Sequence, residues 1–160
     1  MKNKTIEKTL SNLEIMNFIA WFNLEENQGT DDEPMMVKKT IEKLDKCSTS
    51  FKWNLRKNMA KFMDAARLYE EAVKELQEKY ASDEKSEDVT IVDENNQEHI
   101  ERRVRPAYIE EFQREQYELL SQTNDVKLTL VHEEDFMDNN QLDWMDLDML
   151  SIIVMDEDDE

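Results

Sequence analysis

The sequence predicts an α+β fold dominated by helix: a helical hairpin or bundle with a small β-sheet, closed by an acidic helix. Three observations lead there. Apolar residues recur at helical spacing through most of the chain, alternating runs are short, and only one Gly and two Pro occur among 160 residues, too few for a turn-rich β architecture. With 39% apolar residues the chain can bury a core. Residues 1–155 are expected to form one domain, and 156–160 an acidic disordered tail.

The run "KTIEKTL" alternates and predicts a short first strand. The capping-box pattern "SNLE" follows, with Ser11 as N-cap and Glu14 reaching back to it. Ile15, Phe18, Ile19 and Phe22 then share one face, which predicts a helix over about 12–26. Pro34, preceded by Asp31 to Glu33, suits the first turn of another helix that carries Met36, Val37, Ile41 and Leu44 to a break at "CSTS". The strongest periodicity comes next. Leu55, Met59, Phe62, Ala66, Tyr69, Val73, Leu76 and Tyr80 are spaced 4,3,4,3,4,3,4, a heptad-like seam along one long helix. Glu70 with Lys74 and Glu75 with Lys79 supply i,i+4 pairs on its outer side.

"SDEKSED" breaks that helix, and "VTIVDENNQEHIE" predicts two strands around an Asp-Glu-Asn-Asn turn. Pro106 can open a helix with Ile109, Phe112, Gln116 and Leu119 or Leu120 on one face. "VKLTLV" at 126–131 alternates like a half-buried strand, whose natural partners are the first strand or the central hairpin. The last helix, from Asn140 to about Leu150, puts Leu142, Met145, Met149 and Ile153 on one side, with Asn139 or Asn140 as N-cap.

Charge is distributed unevenly. Residues 1–80 carry 14 basic and 14 acidic residues, whereas 81–160 carry 6 and 25, so the whole net charge of −19 belongs to the second half. Residues 131–160 hold 12 acids and neither Lys nor Arg. Such a field repels phosphate backbones and attracts basic surfaces, which argues against direct binding to nucleic acid through this half. The basic triplet Arg102, Arg103 and Arg105 fits better as a partner for nearby carboxylates in "DEKSED" or at the C-terminus. Lys52, Arg56, Lys57 and Lys61, beside Phe51 and Trp53, make a mildly basic strip whose plain reading is the outer face of a helix.

The lone Cys47 forms no internal disulfide. Neither a leader peptide nor an apolar run of about 18 residues is evident, so a cytoplasmic, reducing setting without membrane insertion is expected. Enzyme chemistry finds little support. His99 and His132 are the only imidazole bases, neither sits in a nucleophile motif, and a single glycine, Gly29, leaves no phosphate-cradling loop. His132, Glu133, Glu134, Asp135, Asp143, Asp146 and Asp148 are clustered carboxylates and imidazole of the kind a hard cation uses, but their spacing matches no known loop. Neither cofactor nor metal is expected, and a carboxylate-metal enzyme is the third reading.

The closing stretch "QLDWMDLDML" has two readings: a helix docked on the domain, or a partner-binding acidic helix. In the second, Trp144, Leu147 and Leu150 hold the partner while Asp143, Asp146 and Asp148, with Glu133, Glu134 and Asp135 nearby, steer it in.

The segments "LSNLEIMNFIAWF", "STSFKWNLRKNMAKFMDAARLYEEAVKELQEKY", "IVDENNQEH", "YIEEFQREQYELL" and "DVKLTLV" together resemble a family of small uncharacterised proteins encoded by phages and prophages of Gram-positive bacteria. The resemblance covers about residues 5–131 and implies no activity. It implies host takeover, counter-defence or virion assembly. The leading expectation is a non-enzymatic acidic protein that binds and modulates or inhibits a basic, nucleic-acid-handling host protein in the bacterial cytoplasm, its carboxylates mimicking DNA in that partner's DNA-binding groove. The alternative is a phage assembly accessory that oligomerises through Leu55, Met59, Phe62, Tyr69, Val73 and Leu76.

Overall fold

Ser11 behaves as its context predicts. Its hydroxyl accepts from the Glu14 amide at 3.1 Å while Glu14 Oε1 accepts from the Ser11 amide at 3.1 Å, a reciprocal box that turns strand into helix. The computed structural model describes residues 4–156. Strand β1 (Thr5–Ser11) runs into helix α1 (Asn12–Phe22), and the short strands β2 (Glu25–Asn27) and β3 (Met36–Lys38) lead to α2 (Lys39–Leu44). Then come α3 (Thr49–Tyr80), β4 (Ser86–Val92), β5 (Glu98–Val104), α4 (Pro106–Ser121), β6 (Thr123–Thr129) and α5 (Trp144–Leu150). The fold is α+β and mainly helical. Of the acidic tail expected at 156–160, all but Asp156 lies outside the described residues.

Two compact units emerge: one formed by the chain up to Ala66 together with Thr123 onward, the other by Arg67–Gln122. The sheet expected to gather the first strand, the hairpin and the 126–131 strand is divided accordingly. β1 pairs antiparallel with β6, β2 with β3, and β4 with β5.

In the first unit the β1–β6 register sets Ile6 against Leu128 and Lys8 against Val126. The core beneath is built from Ile15, Phe18, Phe51, Phe62, Leu128 and Leu150, all without solvent exposure. Phe18 and Phe62 stack with ring centroids 4.5 Å apart, and Phe51 meets Phe136 at 5.6 Å. Buried Asn58 on α3 clamps the end of β6, donating to the Thr129 carbonyl at 2.8 Å and accepting from the Thr129 amide at 2.7 Å. Substituting Asn58→Ala strands both backbone groups, and we expect a loss of about 2–3 kcal/mol in urea denaturation.

Two helix predictions are corrected here. α1 stops at Phe22 instead of about residue 26, because the Asn23 side chain bonds back to the Ile19 carbonyl at 3.1 Å and Glu25–Asn27 pair with Met36–Lys38. Pro34 lies outside any helix, and α2 begins only at Lys39. Asn27 Oδ1 gathers the amides of Gly29 (2.9 Å) and Met35 (3.0 Å), which folds "GTDDEPM" into a tight loop. A Cβ at Gly29 would run into the Glu33 carbonyl and the Met35 amide, so this loop needs its glycine.

The second unit centres on Tyr80, whose ring packs 4.9 Å from Phe112 with the Lys85 ammonium 4.7 Å above it. Lys79 pairs with Glu115 at 2.8 Å. These contacts turn α4 by about one residue from its predicted face. Tyr108, Phe112, Glu115 and Leu119 face inward, whereas Ile109 and Gln116 are exposed. The Tyr80 hydroxyl and Glu115 Oε2 are buried without a hydrogen bond of good geometry, and burial together with the Glu115 and Glu111 carboxylates raises the Tyr80 pKa. The arginine triplet does pair with "DEKSED": Arg102 reaches Asp83 at 2.7 Å and Asp88 at 3.2 Å, and Arg105 reaches Glu87 at 3.2 Å. Pro106 opens α4, and the β4–β5 turn closes through Asn96 at φ 59°.

Candidate functional site

After β6 the chain passes Val131, makes a 3₁₀ turn at Glu133–Asp135, and returns through α5. Val131 donates to the Ile153 carbonyl at 2.8 Å and accepts from the Met155 amide at 2.9 Å, a parallel bridge that ties the return to the sheet. Phe136, Leu150 and Ile153 are buried in the first unit's core. Docking is thus the observed state of this helix.

Its N-cap is Asp143, where the sequence reading expects Asn139 or Asn140. Asp143 Oδ1 accepts from the Asp146 amide at 3.0 Å, and Asp146 Oδ2 accepts from the Asp143 amide at 2.9 Å. Asn139 instead donates to the Lys43 carbonyl at 2.8 Å and to the Sγ of buried Cys47 at 3.7 Å. The choice of cap rotates α5. Asp146, only 2% exposed, turns inward, and Met145 turns out to solvent.

The buried carboxylate is well provided for. Asp146 Oδ1 accepts from the Trp21 indole N–H at 2.8 Å, and Oδ2 accepts from Lys43 at 2.9 Å. Lys43 also reaches Asp143 at 3.3 Å. Burial by itself would lower the Lys43 pKa, but hydrogen bonds and charge from Asp146 and Asp143 outweigh it and raise the pKa above the usual lysine value. The Asp146 amide, reinforced by Lys43, holds the Asp143 carboxyl below the usual carboxylate range.

The residues predicted to bind a partner therefore divide. Asp146 and Leu150 are internal, Leu147 is half-buried against the core, and Asp135 caps the 3₁₀ turn through the His132 amide at 3.2 Å. Glu133, Glu134, Asp143, Trp144 and Asp148 are exposed. Trp144 is 84% exposed, the largest exposure among the described large apolar side chains, and Met145 lies beside it in the chain. Trp144 is an exposed aromatic knob in a stretch that is acidic in sequence, with no Lys or Arg from 131 onward, although Lys43 reaches Asp143 beside it; this stretch is the acidic edge.

A second feature of the same unit is a groove of about 520 Å³. Its floor is Phe22, Leu44, Leu55 and Met59, and its walls include Ile41 and Trp53, the latter 58% exposed. Lys52 and Arg56 bring positive charge to it, and Lys57 sits 5.9 Å over the Trp53 ring. Of the basic strip seen in the sequence, Lys52 and Arg56 line this groove, whereas Lys57 and Lys61 do not. The groove's apolar floor joins Phe22 of α1 and Leu44 of α2 to Leu55 and Met59 of α3 itself, and no local pattern announces that meeting.

No protein-family model, curated protein or solved structure matches the chain. Among the described residues no three His, Cys, Asp or Glu side chains are grouped to hold a metal ion, so the carboxylates of "HEEDFMD" and "DWMDLD" do not converge as ligands. No described helix is long and apolar enough to cross a membrane. The seam proposed for oligomerisation is used internally. Leu55, Met59 and Phe62 belong to the first unit's core, and in the second unit Leu76 is buried while Tyr69 and Val73 are half-buried.

Proposed function

We propose that this chain is a non-enzymatic, phage-type binding protein of the bacterial cytoplasm that engages a basic, nucleic-acid-handling host protein through its acidic edge. The observation that carries the reading is Trp144, 84% exposed in a segment whose 12 acids have no Lys or Arg among them from 131 to 160. Carboxylates accelerate encounter with a basic surface, and a central aromatic residue supplies contact area that resists dissociation. The docked α5 presents that residue on a fixed backbone, which lowers the ordering cost of binding. The resemblance to phage-encoded proteins supports modulation of the host partner, as host takeover or counter-defence.

The test is capture from a Gram-positive host lysate on the immobilised full chain, with and without nuclease, beside a Trp144→Ala/Asp148→Asn variant. Both substituted residues are exposed, so the fold is preserved, whereas truncation after Val131 would strip Phe136, Leu150 and Ile153 from the core. The expected result is a basic protein retained regardless of nuclease, released by salt, and lost with the variant. Retention of the same protein by the variant would refute the reading.

A further inference from the structure

We infer that the groove walled by Ile41 and Trp53 receives the Trp144 edge of a second copy of this chain. The inference rests on the reading of that edge as a binding surface, and it names the occupant that the molecule itself provides. Each side lacks what the other offers. The groove has an apolar floor of Phe22, Leu55 and Met59, and its one acid, Asp45, lies 3.6 Å from Lys52. Among the described residues Arg56 and Lys57 face no carboxylate partner. The knob has an indole with almost no protein cover and the exposed Asp148 one turn on, while Asp143 beside it is already 3.3 Å from Lys43. Because Trp144 is 84% exposed, the groove of its own copy does not hold it.

Charge gives the pairing its direction. Residues 1–66, which supply the whole groove, carry 11 basic and 10 acidic residues, whereas 123–160, which supply the knob, carry one Lys and 13 acids. Two copies at −19 repel at long range, but at physiological salt that repulsion is screened beyond about 8 Å, and the contact itself joins opposite signs. A ring entering the groove can lie against Trp53, and an aromatic pair adds to the area buried. Knob and groove are different surfaces, so a two-fold axis closes the pair by making the contact twice, whereas any other relation between copies would propagate it.

The experiment is size-exclusion chromatography with light scattering on the full chain, loaded from roughly 10 µM to 1 mM so as to span micromolar to millimolar dissociation constants. Mass is expected to rise with concentration from the 19.2 kDa monomer toward twice that value. Arg56→Glu and Trp144→Ala, both at exposed positions, each weaken association at least tenfold without changing the melting temperature. Mixed together they regain part of it, because one variant keeps the knob and the other the groove. A wild-type chain that stays monomeric throughout, association that survives both substitutions, or a mixture that fails to complement overturns the inference. Arg56→Glu leaves the acidic edge intact, so its capture of a basic host protein reads the function proposal separately. Capture that depends on Trp144 by a monomeric wild type would sink self-association alone, and self-association without capture would sink the host-partner reading alone.

Discussion

Replacing Asp146 with Ala should lower the unfolding free energy by about 3–5 kcal/mol, the cost of leaving one member of a buried charge pair alone. Two donors, the Trp21 indole and the Asp143 amide, lose their acceptor at once, and the Lys43 ammonium keeps only its longer contact with Asp143 at 3.3 Å. Asp143→Ala, which removes an N-cap at the surface, should cost only about 1 kcal/mol. Urea denaturation followed by far-UV circular dichroism separates the two, and equal losses would mean that Asp146 acts merely as a cap. The effect also has a pH signature. The depressed Asp143 pKa makes its contribution present above the usual carboxylate value and lost as pH falls through the folded one. The raised Lys43 pKa makes its contribution full below the usual lysine value and lost as pH rises through the folded one. Because the Asp146 carboxylate is the largest source of the raised Lys43 pKa, the gap between wild type and Asp146→Ala should narrow as pH rises through the folded Lys43 value.

A comparable loss is expected at Phe62. Phe62→Ala empties a fully buried site against Phe18 and should cost about 3–5 kcal/mol. Phe62→Asp should cost more, since a carboxylate would be stranded in an apolar core. If the seam from Leu55 to Leu76 were a subunit interface, Phe62→Asp would yield a folded monomer. The expected outcome is instead loss of the cooperative melt, read by circular dichroism, together with a larger hydrodynamic volume. Trp53→Ala and Trp144→Ala, by contrast, should stay within about 0.5 kcal/mol, as substitutions at exposed positions usually do. That contrast lets the surface positions serve as probes of binding.

Much of the fold was legible because its signals are local. The Ser11–Glu14 box, the 32-residue α3, the Pro106 start and the β4–β5 turn are each specified within a few residues of themselves. The errors arose where a distant partner overruled the local pattern. A polar "EEN" reads as helix end until "MVK" pairs with it, and nothing in "GTDDEPM" shows that Asn27 folds it. On α5 the apolar spacing put Met145 inward, but the Asp143–Asp146 box turned a carboxylate there instead, which Lys43 and Trp21, more than 100 residues away in sequence, make affordable. The candidate site was legible in composition: Trp144 and its acids stand out. Which of those residues would be spent inside the protein was not, because Lys43 gave no sign of its role.

The division of the first unit between two stretches of chain has a bearing on how the protein is made. Arg67–Gln122 is continuous, so its contacts can form as soon as that stretch leaves the ribosome. β1 is synthesised before it, yet waits for β6, and Thr9 meets Asp125 across a sequence separation of 116. Closing so long a loop slows the search for the native pairing. Until then β1 presents an open edge and Ile15, Phe18 and Phe62 lack the cover of Leu128 and Leu150. The discontinuous unit is thus completed after the continuous one, and a nascent chain stalled in α4 would expose the very side chains that the finished molecule hides.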